Sequence, residues 1–391
     1  MSDTLDAIVV GLGAMGSNAL AVLARRGKRV LGLDRFDPPH NFGSSHGGSR
    51  VIRLSYFEHP DYVPLLKRAY DAFDRLAQDS GETLRIENGL VMGGAPGNAV
   101  AAGMLRSART HDLPVSALDG AELMRRYPQF TVPADWEVVF EARGGFVRPE
   151  ATIRAALAAA ARDGARIERE TPIAAWGSDG RTAWVETARG RFEASALILA
   201  AGAWMPACTG TRQSGQNPLR LTPTRETLVW IDDEGDPDWH ATRMPVWLFD
   251  RGNEPAVYGV PAFDLMGAPG GMKVGLHGSG GPVRPEQICE PVEPAIVRKT
   301  VQAMQERLRG AAGRRVTGAC SCLYTMSKDG HFAVGLHPDH SNVAIAGGFS
   351  GHGFKFAPVI GEALADLAIG GETHLPIEFL APGRLLKNGT F

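Results

Sequence analysis

Short apolar runs alternating with amphipathic stretches carry most of the structural information in this chain. Ala7-Ile-Val-Val10 is a run of the kind that forms a strand buried on both faces, and the spacing from Met15 to Arg26 is helical. Arg29-Val-Leu-Gly-Leu33 reads as the next strand, which makes the N-terminal segment a βαβ unit. From Tyr62 to Gln78, residues Leu65, Leu66, Ala69, Phe73 and Leu76 share one helical face. Between Glu87 and Phe140 the runs are short and mixed. Gly145-Phe-Val-Arg-Pro-Glu150 leads into an alanine-rich helix over 151–163, closed by Gly164. Ala196-Leu-Ile-Leu-Ala-Ala-Gly-Ala-Trp204 reads as a buried strand ending in a turn of small residues. Thr227-Leu-Val-Trp-Ile231 and Ala256-Val-Tyr-Gly-Val260 mark residues 220–318 as a largely antiparallel sheet roofing a pocket. Near the end, Val343-Ala-Ile-Ala346 reads as a strand and Pro358 to Ile369 as a helix.

These elements predict an α/β (α+β) protein. A Rossmann-like nucleotide-binding domain is interleaved with a second domain built on the antiparallel sheet. The first domain is expected over 1–86, 145–219 and 319–391, and the second over 87–144 and 220–318. No internal repeat or low-complexity linker interrupts them.

Bulk properties narrow the class. At 391 residues the chain exceeds what one hydrophobic core serves, in keeping with two domains. A net charge of −2 and a pI near 6.6 give no electrostatic case for nucleic acid or an anionic membrane. The most apolar stretch, Ala151 to Ala161, contains Arg154 and is too short to span a bilayer. The chain enters its first strand within about six residues, leaving no room for a signal peptide, and its four cysteines do not suggest a disulfide framework. The cytoplasm is the expected compartment.

Two glycine clusters carry the chemistry. Gly11-Leu-Gly-Ala-Met-Gly16 joins the first strand to the first helix, and Asp34 ends the next strand. A G-x-G-x-x-G alone is weak, but in a βαβ unit with an acid about 20 residues on it is a dinucleotide fingerprint. Gly11, Gly13 and Gly16 let a pyrophosphate approach the helix N-terminus, while Asp34 can accept from a ribose hydroxyl. Arg35 keeps open a cofactor with a 2′-phosphate. Far along the chain, Gly347-Gly-Phe-Ser-Gly-His-Gly-Phe-Lys355 sits between a strand and a helix. So many glycines suit a backbone passing close to something flat or charged. Two such sites imply a long cofactor lying between them. Cys320 and Cys322, taken alone, read as two small apolar residues. No second cysteine pair or histidine cluster has spacing for zinc.

With those pieces placed, the chain resembles the flavoprotein amine oxidase family of monomeric sarcosine oxidase and N-methyltryptophan oxidase. The matching segments are Gly11-x-Gly-x-x-Gly16, Asp37-Pro-Pro-His40, Gly43-Ser-Ser-His-Gly-Gly-Ser-Arg50 with Ile52-Arg53, and Gly202-Ala-Trp204. Tyr258-Gly-Val-Pro261, Met272-Lys-Val-Gly-Leu-His277, Cys322-Leu-Tyr-Thr325, Gly330-His-Phe332 and Gly348–Phe356 follow in family order. The resemblance implies an FAD-binding domain whose flavin is covered by the sheet of a substrate domain, and a monomer. It implies FAD bound covalently through Cys322 in preference to Cys320. The matching positions around the cofactor are His46, Ser49, Gly202, Gly348 and His352, with Arg50 favouring the reduced, anionic ring. Arg53 and Lys355 match the cations that hold the substrate carboxylate, and Gly351 lines the same space. Tyr258, His277 and Tyr324 match residues near the amine of the substrate. Lys273 matches the lysine that activates oxygen. A fixed cation ~4 Å from superoxide, at an effective dielectric of ~20, stabilises it by about 4 kcal/mol, roughly a thousandfold in rate.

The chain also departs from the family pattern. The family loop Gly-Ser-His-His-Gly-Asp-Thr-Arg is here Gly43 to Arg50 with Gly48 and Ser49 in place of the acid and the threonine. The connection Pro261–Gly271 looks longer than its family counterpart. The resulting expectation is an FAD-dependent oxidase of secondary α-amino acids, sarcosine or another N-methyl amino acid, using O2 and releasing formaldehyde and hydrogen peroxide. A cyclic imino acid such as pipecolate or proline is the alternative substrate. An NAD(P)-dependent dehydrogenase is the alternative class, but it leaves Cys322 and the C-terminal glycines without a role.

Overall fold

Leu5–Val10 lies inside an eight-stranded sheet, parallel to Val30–Leu33 on one side and to Gly190–Leu199 on the other. This arrangement comes from a computed structural model that describes residues 5–209, 218–265, 267 and 269–386. Arg166–Glu168 extends the sheet beyond Val30–Leu33, and His340–Gly347 extends it from Gly190–Leu199, both in parallel. Ala7 and Val9 face one core cluster with the helices Ala14–Arg25, Pro149–Arg162 and Ala357–Gly370. Ile8 and Val10 face another, with Trp176, Leu197 and Met205. Cover on both faces explains why the run is apolar without alternation.

The second sheet also has eight strands. Its spatial order is Val316–Met326, Thr222–Ile231, Met272–His277, Glu254–Val260, Val246–Arg251, Leu90–Gly94, Glu137–Glu141 and Val115–Asp119. Only the Val246–Arg251 and Leu90–Gly94 pair runs parallel, so the sheet is largely antiparallel, as expected. The strand Val316–Met326 crosses the expected boundary at 318/319 and pairs with Thr222–Ile231 along its length. Cys320, Cys322 and Tyr324 therefore stand on the outer strand of this sheet. Between the two sheets, Arg50–Ile52 and Arg85–Ile86 both pair with Gly145–Val147.

Two of the longer helices lie where the sequence pattern shows none. Ala99–His111 buries small residues, among them Ala101, Gly103 and Ser107, and Gly103 packs so closely on Phe57 that a Cβ there would stand 2.5 Å from the Phe57 carbonyl. Apart from Val100 and Met104 the buried face is Ala, Gly and Ser, which carry little hydrophobic signal. Pro294–Gln305 buries only Thr300, Ala303 and Met304. No helix among the described residues is long and apolar enough to cross a membrane.

The N-terminal glycine turn is fixed by packing. Gly11 sits at φ +87°, and a Cβ on Gly16 would stand 1.8 Å from the Gly11 carbonyl oxygen. A Cβ on Gly13 would meet only Ser45 Oγ, at 3.9 Å. Gly16→Ala should therefore cost about 3 kcal/mol in urea unfolding, while Gly13→Ala should cost under about 1 kcal/mol. Equal losses would show that the turn opens freely.

Candidate active site

A cleft of about 640 Å³ runs along the C-terminal ends of the parallel strands, from Thr171 and Trp176 past Gly11, Gly13, Asp34 and Gly202 to Arg50, Tyr324 and Gly351. Asp34 closes its floor, accepting from the Leu12 N–H at 2.7 Å and the Phe36 N–H at 2.8 Å. The helix Ala14–Arg25 starts at Gly13 with no side-chain cap and no acid in its first turn. Its free N–H groups and positive end thus face open ground, as a phosphate site requires. Gly16 does not line the cleft; it sets the packing of the turn. Arg35 lies against the rings of Phe36 and Trp204, 5.6 and 5.4 Å from their centroids.

The cleft opens at Arg50, Tyr324 and Gly351 into a buried pocket of about 90 Å³. Ser49, Arg53, Tyr258, Lys273, His277, Cys322, His352 and Lys355 all line it. Residues expected at the site from five separate segments thus meet at one place. Gly351 is bound to be glycine: it sits at φ +83°, and a Cβ would stand 2.3 Å from the Tyr324 ring. Gly348, at φ +62°, turns away and packs on Leu221 and Ser327. His46 lies behind the loop, lining a third cavity of about 460 Å³ with Gly47, Gly48, Glu150, Trp230 and Cys320. The two cysteines, alternate residues on one strand, thus divide between cavities, Cys322 toward the pocket and Cys320 toward His46. Met266 and Ala268 of the 261–271 connection lie outside the described residues.

The pocket is dense in buried cations. The Arg53 guanidinium sits 4.1 and 4.5 Å from the Tyr56 and Phe57 ring centroids. It donates to both Glu58 oxygens, at 2.8 and 2.6 Å, and to the Ser55 carbonyl at 3.0 Å. Burial opposes ionisation of Glu58, but the charge of Arg53 prevails and holds its carboxyl at about 2. Glu141 fixes the segment from below, accepting from Leu54 N–H at 2.6 Å and Ser55 N–H at 2.8 Å. Lys355 donates to the His352 carbonyl at 2.7 Å; burial, with Arg53 beside it, brings its ammonium down to about 7. Lys273, 1% exposed, donates to the carbonyls of Gly47 and Ser49. Burial and then Arg50 push it well below the ordinary lysine value.

Arg50 donates to the carbonyls of Ser49 and Ser44, both at 2.8 Å, and its Nη2 stands 3.2 Å from Cys322 Sγ. Burial raises the thiol, while Arg50 and Lys273 pull the other way. His352 is held between the Tyr56 hydroxyl and the Gly330 carbonyl, and burial drops it to about 3, so it stays neutral. His277 Nδ1 lies 3.2 Å from the Tyr324 hydroxyl, and burial lowers it too. Burial raises the phenols of Tyr258 and Tyr324.

A flavin nucleotide fits this arrangement. The long cleft suits the dinucleotide, and the uncapped helix end at Gly13 suits its phosphates. Two buried polar atoms near the pocket, His46 Nε2 and Ser49 Oγ, have no partner among the described residues. Both belong to residues expected at the cofactor. Sequence reasoning missed Tyr56, Glu58 and Glu141, and passed over Glu150 as the start of a helix. Three of these are lone acids in unremarkable contexts, with partners distant in sequence or on the backbone.

Comparison with known proteins agrees. The description FAD dependent oxidoreductase matches residues 6–367. The chain is 38% identical to monomeric sarcosine oxidase of Streptomyces avermitilis over 387 residues, 98% of this chain and 99% of the relative. It is 32% identical to N-methyl-L-tryptophan oxidase of Salmonella heidelberg, covering 98% of each chain. Among solved structures, L-proline dehydrogenase from P. horikoshii shares the fold at a TM-score of 0.83 and 20% identity, with 98% of each chain covered. Glycine oxidase from Geobacillus kaustophilus does so at 0.80 and 20%, covering 99% of this chain and 100% of that one. The protein is therefore a flavoenzyme: it belongs to the FAD-dependent oxidoreductases, in the family of monomeric sarcosine oxidase and N-methyltryptophan oxidase.

Lys355 generates a pH prediction. Its folded value, about 7, lies below the ordinary 10.5, so burying the cation costs stability in full below pH 7 and progressively less up to 10.5. At equal flavin content, Lys355→Met should be more stable than wild type by about 1 kcal/mol or more at neutral pH. The gain should vanish toward pH 10.5, read from urea midpoints across that range.

Proposed function

We propose that this protein oxidises secondary α-amino acids, sarcosine or another N-methyl amino acid, with O2 as the electron acceptor. The observation that carries the reading is the meeting of Arg53, Lys355 and Lys273 in one buried pocket beside Cys322. Cations are costly to bury unless an anion meets them, and a substrate carboxylate is that anion. FAD, when bound, takes two electrons from the substrate C–N unit and returns them to O2.

The protein's own residues bind, orient and hold charge. Arg53 and Lys355 take the carboxylate, and because Glu58 already occupies Arg53 Nη2, the substrate enters by exchanging one carboxylate for another. His277, neutral and beside the Tyr324 hydroxyl, is suited to accept a hydrogen bond or a proton at the amine. Lys273 supplies the cation for oxygen. Cys322 would hold the flavin covalently as a thioether, with Arg50 beside its sulfur to favour the thiolate. With water the N-methyl substrate gives the primary amino acid and formaldehyde, and O2 leaves as hydrogen peroxide. The apolar wall of Met92, Leu248 and Val260 also suits a cyclic imino acid such as pipecolate.

Anaerobic mixing tests the substrate class. Sarcosine should bleach the flavin at least about a hundredfold faster than its methyl ester, because the ester strands a buried cation at about 3 kcal/mol. Formaldehyde should appear with N-methyl substrates. Simple amines bleaching as fast as the acids would sink the carboxylate clamp.

Denaturation tests the covalent bond. After acid precipitation the flavin fluorescence should remain with the polypeptide, and Cys322→Ser should release it while Cys320→Ser should not. Flavin wholly in the wild-type supernatant would overturn the thioether.

A further inference from the structure

Lys273 presents a physical difficulty. Its ammonium is 1% exposed, and among the described residues it donates to two backbone carbonyls. Carbonyls orient a cation but do not neutralise it, and Arg50 nearby repels it. The groups bearing most strongly on Lys273 are Arg50, Glu150, Cys322 and Cys320, with His46 behind the same loop. Glu150 is the carboxylate among them.

Glu150 reaches the lysine through one peptide group. Its Oε1 accepts from the Gly47 N–H at 2.7 Å and from the Gly48 N–H at 3.1 Å. The Gly48 N–H belongs to the same peptide unit as the Gly47 carbonyl, and that carbonyl accepts from Lys273 Nζ at 3.2 Å. One peptide dipole is thus lined up between an anion and a cation, an arrangement in which each hydrogen bond polarises the other. Gly47 and Gly48 hold this geometry at φ +90° and +76°, a region that side chains disfavour. Glu150 stands in the first turn of the helix Pro149–Arg162, where the helix N-terminus favours negative charge.

We propose that Glu150 is a positioning residue for Lys273: through the Gly47–Gly48 peptide it fixes the ammonium, and it supplies the counter-charge that keeps it protonated for the oxygen step. This rests on the reading of Lys273 as the oxygen-side cation. Glu150 lines the cavity behind the loop and not the substrate pocket, so its role separates from that of the carboxylate clamp. The sign is fixed. The negative charge of Glu150 raises the Lys273 value against burial and Arg50, so its removal lets the ammonium lose its proton at lower pH.

Glu150→Gln is the discriminating variant, since its amide oxygen still accepts from both glycine N–H groups while the charge is gone. In flavin-loaded protein reduced anaerobically with sarcosine and then mixed with O2, reoxidation should decline with rising pH about one unit earlier than in wild type. At a pH above that decline it should be about tenfold slower. Anaerobic bleaching by sarcosine should change less than about twofold, corresponding to under ~0.5 kcal/mol. A second readout needs no turnover: in protein labelled with ¹⁵N-lysine, the Lys273 Nζ signal, assigned by its loss in Lys273→Met, should titrate at lower pH in Glu150→Gln. An unmoved titration and an unmoved reoxidation profile would overturn the proposal, as would equal slowing of both half-reactions. Lys273→Met separates the two claims. If it reoxidises at the wild-type rate, the oxygen role of Lys273 fails and the proposal with it. If it is slowed about a thousandfold while Glu150→Gln matches wild type, only the role of Glu150 fails.

Discussion

The desolvation of cations governs this site. Arg53, Lys273 and Lys355 are each at most 5% exposed, with Arg50 beside them, and an unpaired buried charge costs several kcal/mol. The fold meets that cost mainly with backbone. Carbonyls of Ser44, Gly47, Ser49, Ser55 and His352 each accept from at least one of these four residues, that of Ser49 from both Arg50 and Lys273. Oxygens can turn inward in this way because the segments between strands, 43–49 and 348–355, are spared from sheet pairing and rich in glycine. Carbonyl dipoles leave net positive charge behind, so the pocket is prepared for anions. A substrate carboxylate, a cofactor phosphate and a reduced flavin all carry the required sign.

How much of this was legible in the sequence depends on how each signal is written. The first strand, its glycine turn and Asp34 could be read because burial on both faces and close packing at Gly16 leave few residue choices. Arg53, Lys273 and Lys355 stood out through family resemblance, and the structure brings them together from three distant segments. The helix Ala99–His111 was hidden because, apart from Val100 and Met104, its buried face is Ala, Gly and Ser, which pack by closeness instead of apolar area. Glu58, Glu141 and Glu150 were hidden for another reason. A carboxylate that binds backbone N–H groups or a distant arginine leaves no periodic trace, and its role appears only when the partner segments are placed.

The two carboxylates nearest the chemistry differ in how firmly they are held. Glu58 is bonded to a side chain, through Arg53 Nη2, and its own side chain is 16% exposed. Another carboxylate of the same charge can take its place with little change in the electrostatic energy of Arg53. Glu150 is bonded to two peptide N–H groups of a loop whose geometry depends on consecutive left-handed glycines. Displacing it would strand those donors and unmake the carbonyl that holds Lys273. On the proposed function, an exchangeable counter-ion suits the Arg53 end, which admits and releases an acid. On the same reading, a fixed one suits the Lys273 end, which meets only a small neutral gas and presents the same positive charge at every turnover.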